Sequence, residues 1–125
     1  MKYLLDTHIL LQWLNNDKTI PNKIAKIIAD PDNIIFVSSV CTWEITIKQS
    51  LGKLEAPNDL ERAIEANEFQ KLPITIEHST YITNLPLFHK DPFDRLLIAQ
   101  AIIEKLTLLT CDIIIPKYPV SIIRT

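Results

Sequence analysis

Lys2-Tyr3-Leu4-Leu5-Asp6-Thr7-His8 opens the chain as a short apolar strand that stops on an acid, and the helix-like run Ile9-Leu10-Leu11-Gln12-Trp13-Leu14 follows at once. The same order returns near the other end, where Leu106-Thr107-Leu108-Leu109-Thr110-Cys111 stops on Asp112. Strand-like and helix-like segments alternate between them. That is the pattern of a parallel sheet joined by crossover helices, so the expected fold class is α/β. The reading places strands at residues 3–5, 34–37, 72–74, 107–109 and 120–123, and helices at 8–15, 21–29, 40–51, 59–68, 77–84 and 92–105. Open α/β sheets gather their ligands at the carboxyl ends of the strands, so Asp6 and Asp112 mark an acidic pocket there. The usual occupant of such a pocket is a divalent cation.

Composition narrows the class. A chain of 125 residues with 47% hydrophobic and 22% charged content makes one domain, residues 1–125, able to bury roughly two thirds of its unfolded surface. A single Gly beside eight Pro leaves no glycine-rich phosphate loop, which argues against a P-loop or a dinucleotide fingerprint. Cys41 and Cys111 stand in apolar surroundings without metal-ligand spacing and read as buried free thiols in a reducing cytoplasm. The N-terminal residues carry neither a basic stretch nor an apolar run of about 18 residues, so neither a signal peptide nor a membrane span is expected. The formal net charge of −2 does not announce a nucleic-acid binder. Acids gathered in one pocket lower the total without excluding a local basic patch. Lys48, Lys53, Lys90 and Arg95 are the candidates for one, a solvated face being the alternative.

Two further acids emerge from asking which polar residues break an apolar stripe. Val40, Glu44, Ile47 and Leu51 follow i, i+4, i+7, i+11 spacing, which puts Glu44 on a core-facing side of a helix. Asp94 heads a second stripe with Leu97, Ile98, Ala101 and Ile102. A buried carboxylate stays ionised only with a partner, and no Lys or Arg lies on either stripe. Each acid also has a bland reading: Asp6 as the N-cap of the first helix, Glu44 as a partly exposed acid paired with Lys48 at i+4, Asp94 as a complement to a helix dipole, Asp112 as a turn residue. Their joint placement is what points to a site. Pro92 suits a first helical position and Asp91 its N-cap, with a supporting role beside the pocket as the alternative for Asp91. Thr7, Ser38, Ser39 and Thr110 are candidates to hydrogen-bond the carboxylates. His8, His78 and His89 are widely spaced and form no ligand pattern, so a structural or surface role is expected. Tyr3, Trp13, Trp43 and Phe93 are read as core, with base stacking as the minor alternative.

These residues resemble a known family. Tyr3-Leu4-Leu5-Asp6-Thr7-His8, the segment from Ser38-Ser39-Val40 to Trp43-Glu44-Ile45, Leu51-Gly52-Lys53-Leu54, the block from Asp91-Pro92-Phe93-Asp94-Arg95 to Ala101, and Thr110-Cys111-Asp112 look like the ordered motifs of PIN domains. Within that family they most resemble the VapC-type toxin ribonucleases of type II toxin–antitoxin systems. The resemblance runs over nearly the whole chain, and the Asp-Pro-Phe-Asp-Arg block is its specific part.

The resemblance implies a Rossmann-like α/β/α sandwich in which Asp6, Glu44, Asp94 and Asp112 hold Mg²⁺ or Mn²⁺. It also implies an RNA substrate, a small antitoxin partner and a homodimer. Cys111 departs from the pattern, because the subgroup often carries a basic residue there, and this puts one phosphate contact in doubt. Hydrolysis of a phosphodiester needs a nucleophilic water at neutral pH and countercharge on the phosphorane, both of which Mg²⁺ supplies. Carboxylate oxygens suit that ion. Four carboxylates sharing one pocket repel, so all four are expected to titrate above the usual carboxylate range. Two other readings are a non-catalytic PIN-like interaction module, whose signature is a lost pocket acid, and a metal-dependent phosphatase, whose D-x-D pair fails here because His8 takes the second position.

Overall fold

Leu4 and Leu5 expose no surface, because β1 (Lys2–Leu5) runs through the middle of a sheet that is covered on both faces. In the computed structural model, which describes residues 1–124, β1 pairs in parallel with β2 (Ile34–Ser38) on one side and β4 (Thr107–Thr110) on the other. Strand β3 (Gln70–Leu72) continues the sheet beyond β2, and β5 (Ile122–Arg124) continues it beyond β4. The five parallel strands thus lie in the order β3-β2-β1-β4-β5. Leu108 and Leu109 of β4 are likewise fully buried. A strand that is apolar on both faces is characteristic of a parallel sheet sandwiched between helices.

The flanking helices are α1 (Thr7–Leu14), α2 (Asn22–Ala29), α3 (Ser39–Ser50), α4 (Leu60–Ala66), α5 (Ile76–Tyr81) and α6 (Pro92–Glu104). From β1 the chain steps outward to β2 and β3, then returns across the sheet to β4. Right-handed connections therefore put the helices of the return path on the opposite face from those of the outward path. Ile24 and Ile28 of α2, Cys41 and Ile45 of α3, and Leu97, Ile98 and Ala101 of α6 pack into the same buried cluster as the central strands. Each fully buried Leu or Ile contributes about 1.5–3 kcal/mol relative to exposure. Among the described residues no helix is long and apolar enough to cross a membrane.

The edge strands depart from the expected positions. Strand β3 stops at Leu72 rather than running over 72–74, because Pro73 has no N–H to donate to a ladder. Its Gln70 and Lys71 are exposed, as suits a polar edge. Strand β5 starts at Ile122 rather than Val120, since the Val120 N–H is drawn into a tight turn onto Tyr118 O at 2.8 Å. The helix expected over 77–84 tightens at its end into a 3₁₀ turn, Ile82–Asn84, shortly before Pro86. A second 3₁₀ turn, Ile115–Lys117, occupies a segment read as loop.

Candidate metal centre

The strand order reverses between β1 and β4, and the connections that leave their carboxyl ends diverge there, opening the crevice where α/β sheets bind ligands. Asp6 is the first residue past β1. Its N–H donates to Leu109 O of β4 at 3.2 Å, so the crevice is floored by paired strands. Asp6 is also the N-cap of α1: Oδ1 accepts the Ile9 N–H at 2.8 Å, while Oδ2 accepts the Thr110 hydroxyl at 2.5 Å. Thr110 is fully buried at the end of β4, and its oxygen in turn accepts the Asp112 N–H at 2.9 Å. One hydroxyl thereby ties both strand-end acids together. Asp112 Oδ1 accepts from Ile114 N at 2.7 Å and Ile115 N at 3.1 Å, so it is a turn residue as well as a wall of the crevice.

Glu44 arrives from α3 and is buried with Val40, Cys41 and Ile45, whereas Ile47 is half-buried and Leu51 exposed, so the expected stripe enters the core only in the first half of the helix. Its Oε1 accepts the Thr7 hydroxyl at 2.7 Å and its Oε2 accepts Lys48 Nζ at 2.6 Å. Burial and the i+4 ion pair, set against each other in the sequence reading, both hold. Asp94 sits in the first turn of α6, whose N-cap Asp91 accepts from Phe93 N at 2.8 Å and Asp94 N at 3.4 Å. Asp6, Glu44, Asp94 and Asp112 all line one cavity of about 340 Å³, together with Thr7, Lys48 and Cys111.

Charge in this cavity is poorly neutralised. Burial, opposed by the Thr110 and Ile9 donors, pushes the Asp6 carboxyl up to about 6. Burial first, and then the charge of Asp91, pushes Asp94 up to about 7. Desolvation, not repulsion, is the leading cause for both. Asp112 overturns the expectation that all four would be raised: burial opposes its ionisation, but the N–H donors of Ile114 and Ile115 and the His89 ring outweigh it and hold the carboxyl below its usual range.

The PIN domain family profile matches residues 3–120. The chain belongs to the PIN domain family. Among solved structures, this PIN domain is similar to a chain of VapBC2 from Rickettsia felis bound to a promoter DNA fragment, with a TM-score of 0.69, 18% identity and coverage of 99% of this chain and 98% of that one. It is similar to FitAcB from Neisseria gonorrhoeae, with a TM-score of 0.67, 19% identity and coverage of 99% and 97%. It also resembles the toxin–antitoxin system VapBC-5 from Mycobacterium tuberculosis, with a TM-score of 0.61, 17% identity and coverage of 99% and 98%. Among curated protein sequences none matches.

Several residues of this PIN domain do something other than the sequence suggested. His89, whose spacing matches no ligand pattern, nevertheless places its Nε2 3.0 Å from Asp94 Oδ2 and 3.3 Å from Asp112 Oδ2. No periodicity reports it, because it reaches the crevice from an irregular segment; its one sequence signal is its position two residues before Asp91. Arg95 does not join a basic patch: its guanidinium donates to backbone carbonyls of Ile82 and Pro86 at 3.2 and 3.0 Å. Trp43 is 55% exposed rather than core, packed edge-on against Phe93 at 5.2 Å between centroids. Cys111 is half-buried in the cavity wall rather than in the core, while Cys41 is fully buried and its thiol is pushed up to about 12 by desolvation. Thr7 and Thr110 do bond carboxylates, but Ser38 caps α3 and donates to Gln100 instead. His78 is buried and completes a capping box with Thr75 at the start of α5.

The donor set fits a hard divalent cation. Acids from four separate elements line one small cavity, ligand atoms of Asp94 and Asp112 lie within 4.8 Å of each other and of the His89 ring nitrogen, and Lys48 is the one lysine in the lining. A bound metal ion supplies the countercharge that lets desolvated carboxyls such as Asp6 and Asp94 ionise.

Proposed function

We propose that this PIN domain is the toxin of a toxin–antitoxin pair, a Mg²⁺- or Mn²⁺-dependent endoribonuclease. The observation that carries the reading is the convergence of Asp6, Glu44, Asp94 and Asp112 on one cavity at the point where the strand order reverses. Asp6, Glu44 and Asp94 hold the ion and Asp112 completes its oxygen shell. The bound ion supplies an acidified water and countercharge for phosphodiester hydrolysis. Thr7 and Thr110 fix the rotamers of Glu44 and Asp6 by the hydrogen bonds described above, and Asp91 fixes the start of α6 beneath Asp94. Lys48 partly offsets the charge of Glu44 and offers its half-exposed ammonium to a substrate phosphate at the cavity edge.

One structural neighbour named above, VapBC-5, is a member of a toxin–antitoxin family, which supports a small antitoxin as partner; an RNA substrate and a cytoplasmic site of action belong to the same proposal. A homodimer belongs to the same reading. None of the four pocket acids is missing, so the non-catalytic alternative lacks its signature. The test is cleavage of single-stranded RNA by the purified protein in Mg²⁺ or Mn²⁺ and in chelator. Metal-dependent cleavage that falls at least a hundredfold in Asp94→Asn is expected, a size in keeping with the loss of a group that stabilises a charged transition state (about 10²–10³). Undiminished cleavage by Asp94→Asn, or cleavage in chelator, overturns the assignment.

A further inference from the structure

His89 is built into the crevice by contacts that have no purpose in the core. The segment that carries it, residues 85–91, is irregular. Its backbone is nevertheless pinned on both sides of His89: the His89 N–H donates to the Tyr118 hydroxyl at 2.7 Å, and Arg95 Nη1 donates to His89 O at 3.4 Å and to Pro86 O at 3.0 Å. Arg95 Nη2 reaches Ile82 O at 3.2 Å, and the Phe88 ring packs edge-on against Tyr118 at 5.2 Å. The ring itself is oriented, because Nδ1 accepts the Asp91 N–H at 3.3 Å, which leaves the proton of a neutral imidazole on Nε2. That N–H bonds Asp112 Oδ2 at 3.3 Å and lies 3.0 Å from Asp94 Oδ2. One atom from each of His89, Asp94 and Asp112 falls within 4.8 Å of the other two.

Resting on the cation-site reading above, we infer that His89 is a positioning residue of that site: clamped by Arg95 and Tyr118, it links the carboxylates of Asp94 and Asp112 and sets the separation at which both meet one ion. The two acids come from different elements, the first turn of α6 and the loop after β4, and their like charges push them apart. A donor between them opposes that push. Each carboxylate oxygen has a second lone pair, so accepting the imidazole N–H leaves capacity for a metal. Partners that orient metal ligands in this way typically change metal affinity by about 10–100-fold when removed. Arg95 acts one step further out, through three backbone carbonyls that its planar fork reaches and a lysine ammonium does not.

The experiment is calorimetric titration of Mn²⁺ into the full-length protein, wild type against His89→Ala and His89→Gln, with circular dichroism to confirm folding. Wild type binds, His89→Ala binds about tenfold more weakly, and His89→Gln, whose amide N–H extends about as far as Nε2, recovers most of the loss. Should His89→Ala not fold, His89→Asn replaces it, since its shorter amide falls short of both acids. Arg95→Lys is expected to weaken Mn²⁺ binding several-fold without touching a carboxylate. Equal affinity in His89→Ala and wild type overturns the inference. Tighter binding in His89→Ala also overturns it, because His89 is then a competitor of the ion. Equally weak binding by Ala and Gln variants makes the ring nitrogen a direct ligand and overturns the positioning role. Wild type that does not bind Mn²⁺ removes the cation site itself, a failure that is distinct from these.

Discussion

Asp6 and Asp94 differ in what each loses on changing to Asn. Asp6 has both oxygens committed, one to the cap of α1 and one to Thr110, so Asp6→Asn keeps the cap but puts an amide against the Thr110 hydroxyl. Asp94 accepts no cap bond and has one side-chain partner, the His89 ring at 3.0 Å, which makes Asp94→Asn the cleaner probe. Both folded carboxyls titrate above 3.8, at about 6 and about 7. A raised acid favours folding fully below its unfolded pKa, and that contribution is lost as pH rises through the folded value. In chelator, the melting temperature of wild type is therefore expected to fall between about pH 4 and pH 7 through these two groups. Asp112 works in the other direction and outside this window: its contribution is lost only as pH drops below the ordinary carboxylate range. Calorimetric melts at pH 5 and pH 8 should show a smaller pH difference in Asp94→Asn than in wild type, and equal differences contradict the burial of that charge. Thr110→Val is nearly isosteric but strands Asp6 Oδ2 and the Asp112 N–H, and is expected to cost about 1–3 kcal/mol in urea denaturation.

At the level of elements, α6 was legible because Asp91-Pro92 supplies cap and first turn and the apolar stripe supplies the buried face. Asp91→Asn is expected to keep the cap, leaving stability within a few tenths of a kcal/mol, and to ease ionisation of Asp94 by removing the neighbouring charge; Asp91→Ala is expected to cost about 1 kcal/mol. Urea midpoints of the two variants check this, and equal loss in both contradicts the cap. The far end of α6 is strained, since Lys105 adopts the left-handed region with φ of 56°. Lys105→Gly is expected to stabilise by about 0.5–1 kcal/mol, read from the same urea curves. The central strands β1, β2 and β4 were legible because burial on both faces writes an unbroken apolar run. Strands β3 and β5 were misplaced because an edge strand is short, partly polar and ended by local turn chemistry at Pro73 or Val120 rather than by hydrophobicity. Helix α3 gave its buried acid and named Lys48 as that acid's i+4 partner, but as alternatives; the two coexist because the long flexible lysine stem bends back to a carboxylate that helical spacing alone leaves buried.

For the whole molecule, what mattered was the order β3-β2-β1-β4-β5, which brings Asp6 and Asp112 to adjacent strand ends although they are far apart in sequence. Alternating elements predict a parallel sheet but not which strands become neighbours, so the convergence of the acids was inferred from the family resemblance and from strand-end placement together. His89 and the exposed Trp43 escaped for the same reason: a loop that folds over the crevice, and an aromatic left outside the core, carry no periodic signal. Whether the assembled pocket holds a cation is read most directly from melting curves of wild type and Asp94→Asn with and without Mn²⁺. A ligand at ten times its dissociation constant adds about 1.4 kcal/mol, which moves the melting temperature by several degrees in a domain of this size. The expected result is a rise of that size in wild type, and in Asp94→Asn a higher metal-free melting temperature with a much smaller rise. A wild-type curve unmoved by saturating Mn²⁺, or an undiminished response in Asp94→Asn, contradicts the assignment of this pocket as the cation site.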